Sequence, residues 1–192
     1  MGGAETFHVH KDVLNQSPFF NNALKPEWTA MRDGRPIEIP DHMPVIFEMY
    51  DKWLYSHVLV ETTNTIALAH MYVLGEEMLD THFQDAVISA IMSNCATQSI
   101  YPVGAQIDII YTGTTATSPA RKLLVDFFLH AGGKEWVLDR DHASNRPADF
   151  VNDLLTALMD RSRQPSESLP WITNPAAYFL NGKTTENEDM ST

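Results

Sequence analysis

The run Phe7-His8-Val9-His10-Lys11-Asp12-Val13-Leu14, followed by Ser17-Pro18-Phe19-Phe20, decides how the rest of the chain is read. Phe7 and Val9 alternate with His8 and His10, the two-residue period of a strand. Val13 and Leu14 then supply the apolar side of a helical turn. Pro18, in first helical position after Ser17 as cap, opens a second helix bearing Phe19, Phe20, Ala23 and Leu24. The stretch predicts a strand feeding two short helices. It holds no set of catalytic groups and suits a binding fold.

Working outward, residues 25–35 hold Pro26, Asp33 and Gly34 and read as a turn, after which Pro36, Ile37, Glu38, Ile39 and Pro40 alternate like a second short strand. From Pro44, the residues Ile46, Met49, Tyr50, Trp53 and Leu54 fall on one helical face, ending near Ser56. Thr62 to Asn64 offer caps for a helix over 65–74, which Gly75 stops or breaks. Another helix begins near Asp80, with Phe83, Ala86, Val87, Ala90 and Ile91 on its face and Cys95 near its far end. Residues 1–97 thus form one expected unit.

Pro102 and Gly104 mark a joint, and the chain from 98 to 163 reads as a helical extension. Ile107, Ile109, Ile110 and Tyr111 lean to helix. Ser118 and Pro119 begin a clear one with Ala120, Leu123, Leu124, Phe127 and Phe128 inward, stopped by Gly132 and Gly133. Residues 134–147 read as a polar loop. Val151, Leu154, Leu155, Leu158 and Met159 form a last amphipathic helix whose Asp149 and whose Arg161 and Arg163 match the helix dipole. Residues 164–192 read as a flexible acidic tail whose aromatic group, Trp171, Tyr178 and Phe179, docks on a partner or back onto the domain, or stays in a mobile linker.

Composition narrows the function. The 192 residues carry 13 basic and 25 acidic side chains, a formal charge of −12 that repels a phosphate backbone, so nucleic acid is disfavoured as a partner. The apolar runs fall short of the ~20 residues of a membrane span. A single cysteine, Cys95, with no signal-peptide pattern, points to cytoplasm or nucleus.

Motifs for chemistry fail on inspection. Gly182, Lys183 and Thr184 end like a phosphate-binding loop, but the place of its first glycine holds Ala177 and too few residues follow to form the helix such a loop needs. Gly132, Gly133 and Lys134 fail the same test. His8 and His10 share a face on which two imidazoles could bind zinc, yet the other ligands must come from elsewhere in a chain whose remaining histidines have no paired spacing. Cys95 lacks an electropositive setting, and Asp139, Arg140, Asp141 and His142 lie in a polar loop. Neither cofactor nor metal is expected. Phe47, Tyr50 and Trp53 are expected in the core, and any aromatic left exposed would mark a partner surface.

Taken in order, the pieces resemble the BTB/POZ domain of fungal type. Phe7 to Phe20 is similar to its strand entering a two-helix hairpin. Ile37, Glu38, Ile39, Pro40 and Asp41, then Pro44, Phe47, Tyr50, Trp53, Leu54, Tyr55 and Ser56, look like its next strand and helix. Leu68 to Glu76, with Leu79 and Phe83 to Ile91, is similar to its last core helices, and Ile109 to Asp126 to a helical extension. The resemblance covers roughly residues 5 to 95 and implies an α+β fold, predominantly helical, with a small sheet flanked by helices and a C-terminal helical extension. It implies no enzyme but a protein-interaction module: a substrate adaptor for cullin-based ubiquitin ligases, or a scaffold or regulatory subunit that associates with itself or another BTB protein. Cullin contact would fall on Asp41, His42, Met43, Phe47 and Tyr55. Only Met1 to Thr6 precede Phe7, so the family's first strand and the dimerisation it supports are not expected in full. A metal protein or enzyme built on His8, His10 and His142 is the remote alternative.

Overall fold

A computed structural model of the chain describes residues 5–39, 42–138, 146–161 and 169–181. Their regular structure is helical throughout: α1 (Lys11–Leu14), α2 (Pro18–Ala23), α3 (Pro26–Arg32), α4 (Pro44–Ser56), α5 (Thr65–Glu77), α6 (Thr81–Gln98), α7 (Ala105–Gly113), α8 (Pro119–His130), α9 (Lys134–Leu138), α10 (Ala148–Arg161), α11 (Pro170–Thr173) and a 3-10 turn (Pro175–Tyr178). Pro18, Pro26, Pro44, Pro119, Pro170 and Pro175 each open a helix, where a missing N–H costs nothing and the fixed φ is already helical.

The expected α+β class with a small sheet is overturned, because no strand occurs among the described residues. Both expected strands are irregular. The alternation nevertheless orients their side chains as read: Phe7, Val9, Ile37 and Ile39 are half-buried against the core, while His8, His10 and Glu38 are exposed. Period-2 patterning specifies which side of a segment packs. It does not supply a neighbouring segment for the ladder, and here the underlying surface is helical.

The centre of the molecule is α5. From Ala67 to Gly75 every residue but His70 is buried, as befits a helix apolar on all sides, with α4, α6 and α7 packed around it. Gly75 does not stop the helix. A Cβ there would meet Gln84 Cγ at 2.7 Å and Phe83 Cδ1 at 3.2 Å, so glycine serves the close approach of α6, and α5 continues to Glu77. The caps are specific. Asn64 accepts from the Ile66 and Ala67 amides, both at 3.1 Å. Asp80 accepts from Phe83 N at 2.9 Å and, with its other oxygen, from the Tyr50 hydroxyl and Trp53 Nε1 at 3.2 Å, joining α4 to the start of α6.

The two serines expected as caps, Ser17 and Ser118, stand at the expected positions but use their hydroxyls elsewhere. Ser17 Oγ donates to the Met78 carbonyl at 3.3 Å, and Ser118 Oγ shares a hydrogen bond with Tyr72 at 3.2 Å. Buried hydroxyls need partners, and these tie distant elements together.

Farther along, α7 and α8 are joined by Arg121, whose guanidinium donates to the carbonyls of Tyr111 and Thr114 and to Thr114 Oγ1 while lying 4.5 Å over the Tyr111 ring. The expected loop over 134–147 begins with the helical turn α9, whose Trp136 meets Phe128 edge to face at 5.3 Å and Tyr101 at a tilt at 5.1 Å between ring centroids. The aromatic group of the expected tail docks back onto the domain: Trp171 lies 5.0 Å from Phe127, and Tyr178 is fully buried against α8. Asp85 holds the far end, accepting from Leu180 N at 2.7 Å and Asn181 Nδ2 at 2.9 Å. A mobile linker is therefore not what residues 169–181 form. The Asp139 to His142 cluster and the Gly182 to Thr184 stretch lie outside the described residues.

Candidate protein-interaction surface

The surface with the strongest sequence motivation begins where the chain enters α4. Met43 caps the helix in extended conformation, and its side chain is exposed. His42 is tethered beside it, its Nε2 2.8 Å from Glu77 Oε2 at the end of α5, with only 5% of the side chain exposed. This contact fixes the direction from which residue 43 leaves the core. Asp41 lies outside the described residues.

Within α4 the inward face is Ile46, Phe47, Tyr50, Trp53 and Leu54. Phe47 is 8% exposed, with its ring 4.9 Å from Phe7, 6.3 Å from Phe20 and 6.3 Å from Tyr50. It supports the surface from beneath and presents almost nothing to a partner. The outward row is Val45, Glu48, Lys52 and Tyr55, spaced i, i+3, i+7 and i+10, which brings them to one side of the helix. Glu48 and Lys52 pair at 2.7 Å in the middle of the row, and apolar or aromatic groups stand at both ends, Val45 and Tyr55 each 50% exposed. Met43 to Tyr55 spans about 18 Å at 1.5 Å per residue.

Tyr55 is also held in place. Its hydroxyl accepts from the His10 amide at 3.2 Å, and the His10 ring meets its edge at 6.2 Å. The N-terminal segment thus braces the ring while leaving half of it open. Beside the row, Asp51 Oδ1 is shielded from water and makes no hydrogen bond among the described residues. Burial, then the Glu48 carboxylate, holds the Asp51 carboxyl above the usual carboxylate range, with Lys52 opposing. An acceptor left in this state gains from any donor brought to it.

Of the residues expected at a partner site, Met43 and Tyr55 are exposed, His42 orients the entry and Phe47 is core. Sequence reading missed Val45, Glu48, Asp51 and Lys52. The signal was present as the complement of the apolar face already recognised on the same helix.

Two other candidates resolve differently. Burial pushes the Cys95 thiol up to about 12, and its Sγ donates to the Ile100 carbonyl at 3.2 Å, so it is a neutral thiol of the core. Among the described residues no group of three or more His, Cys, Asp or Glu side chains is placed to hold a metal, and no helix is long and apolar enough to cross a membrane.

Comparison with known proteins gave no match: no family model, no curated protein and no solved structure is significantly similar to the chain.

Proposed function

We propose that this chain is a non-enzymatic protein-interaction module that engages its partner through the start and outward row of α4. The observation that carries the proposal is the pairing of exposed Met43, Val45 and Tyr55 with a firmly buried inner face on one helix. Such a helix is rigid, so its contact groups lose little freedom on binding. Methionine adapts to irregular partner surfaces and tyrosine combines apolar area with a hydroxyl, a pairing common at interface centres.

The partner class is taken from the BTB/POZ resemblance of the helical segments: the N-terminal domain of a cullin, with the chain acting as substrate adaptor. The sheet and the strand-mediated dimer of that family are no part of the proposal. The test is binding of a purified cullin N-terminal domain to the immobilised protein, compared with Met43→Asp. Saturable binding that Met43→Asp weakens at least tenfold supports the adaptor reading. Absence of binding by protein with helical circular dichroism removes it.

A further inference from the structure

The stretch from Phe7 to His10 lies along one edge of α4. Phe7 meets Phe47 at 4.9 Å between ring centroids, and the His10 amide donates to the Tyr55 hydroxyl at 3.2 Å. Phe47, Asp51 and Tyr55 follow one another at i, i+4 and i+8, so the helical period stacks them in one row about 12 Å long. Three residues of extended chain span about 10 Å, and Phe7, His8, Val9 and His10 alternate between half-buried and exposed as extended chain does. The two anchors therefore stretch the segment along the row past Asp51, with half-buried Val9 between them. Asp51 stands between exposed Glu48 and exposed Lys52, yet its Oδ1 is shielded from water and receives no hydrogen bond among the described residues. A covering segment that brings no donor explains both.

We propose that residues 7–10 form a pH-sensitive strap over α4, closed while Asp51 carries a proton and opening as that carboxyl ionises. An acceptor without a donor is less costly to cover as a neutral carboxyl than as a carboxylate. Burial, then the Glu48 carboxylate, holds the Asp51 carboxyl above the usual range, with Lys52 opposing. The closed strap thus binds a proton more tightly than an open one, in which water reaches both oxygens, and rising pH favours opening. The other charged groups nearby are Glu48 and Lys52 on α4, paired at 2.7 Å, and Glu5, His8, His10, Lys11 and Asp12 on the segment and its continuation into α1, all exposed. Opening uncovers Phe47 and frees the braced side of Tyr55, so pH sets how much of this edge of α4 is exposed. The strap stands on these contacts and does not depend on the cullin reading.

The test is hydroxyl-radical footprinting of the full chain over a series from about pH 4.5 to about pH 7.5, a range that starts just above the ordinary aspartate value. Opening is read as oxidation of Phe47 relative to Met31, which is 71% exposed on α3. In wild type this ratio is expected to rise at least threefold with pH. Asp51→Asn, which cannot ionise, stays at the low-pH level throughout. Phe7→Ala removes the cover itself and raises Phe47 oxidation at every pH. His8→Gln with His10→Gln keeps the wild-type rise. A flat wild-type profile overturns the proposal, as does a rise that survives Asp51→Asn or a Phe47 that Phe7→Ala leaves protected. Loss of the rise in the double histidine variant overturns it too, because closure would then come from an imidazolium pairing with the Asp51 carboxylate.

Discussion

The Tyr178 hydroxyl donates to Asp126 Oδ2 at 2.6 Å, joining residues 52 positions apart. The same carboxylate pairs with Lys122 at 2.7 Å, and the Lys122 ammonium lies 4.2 Å from the centroid of the Tyr178 ring. One phenol thus closes a charge-assisted hydrogen bond and a cation–π contact on α8, with the ionised phenolate disfavoured by burial and by the carboxylate. Tyr178→Phe keeps the ring but removes the bond to a charged group, a loss of about 1.5–3 kcal/mol. The expected result is faster amide exchange over residues 169–181 with unchanged protection in α5, read by hydrogen exchange with mass spectrometry.

The end of α7 lies against α5 so closely that a Cβ on Gly113 would overlap both methyl groups of Val73. Valine cannot swing aside, because its branch is at Cβ. Gly113→Ala is expected to destabilise by about 1–3 kcal/mol despite alanine's better helix propensity, and Val73→Ala in the same chain recovers part of the loss. Urea denaturation of the two single variants and the double variant checks the coupling.

Asp51 makes stability depend on pH with a defined sign. Its folded-state affinity for a proton exceeds the unfolded one, so native stability falls as pH rises from the ordinary carboxylate range through the raised value. Asp51→Asn removes that penalty. The thermal midpoint of the variant is expected to exceed wild type at pH 7, and the difference shrinks as pH is lowered toward the usual carboxylate range.

Cys95 is expected to resist thiol reagents. With its thiol raised to about 12 and only 3% of the residue exposed, the native protein reacts with a disulfide reagent at neutral pH only through opening of the fold, and one thiol titrates rapidly in denaturant. Rapid reaction of native protein would contradict this environment.

Much of the helical order was legible in the sequence. The proline starts at 18, 44 and 119 and most of the inward faces of α4 and α8 follow from periodicity, because local propensity and burial agree there, whereas α6 buries Gln84 and Ile88 beside Phe83, Val87 and Ile91 and leaves the expected Ala86 and Ala90 half-buried. The small sheet was not legible correctly, since alternation in residues 7–9 and 37–39 reports packing side and not pairing. Gly75 misled for a related reason: its cause is the approach of Gln84 and Phe83 on α6, which no local pattern contains. The docking of Trp171 and Tyr178 depends on Phe127 and Asp126, more than forty positions earlier. Of the residues that the BTB/POZ resemblance named for a partner surface, Met43 and Tyr55 are exposed and Phe47 is buried, a distinction that only burial shows.

Hydroxyl-radical footprinting with the cullin N-terminal domain tests the central proposal most directly, because Met43 and Tyr55 are both exposed and both oxidise readily. Saturating the protein with that domain is expected to cut oxidation at Met43 and Tyr55 several-fold while Met31, 71% exposed on α3, oxidises as before. Unchanged oxidation at Met43 and Tyr55 would contradict an interaction module built on α4.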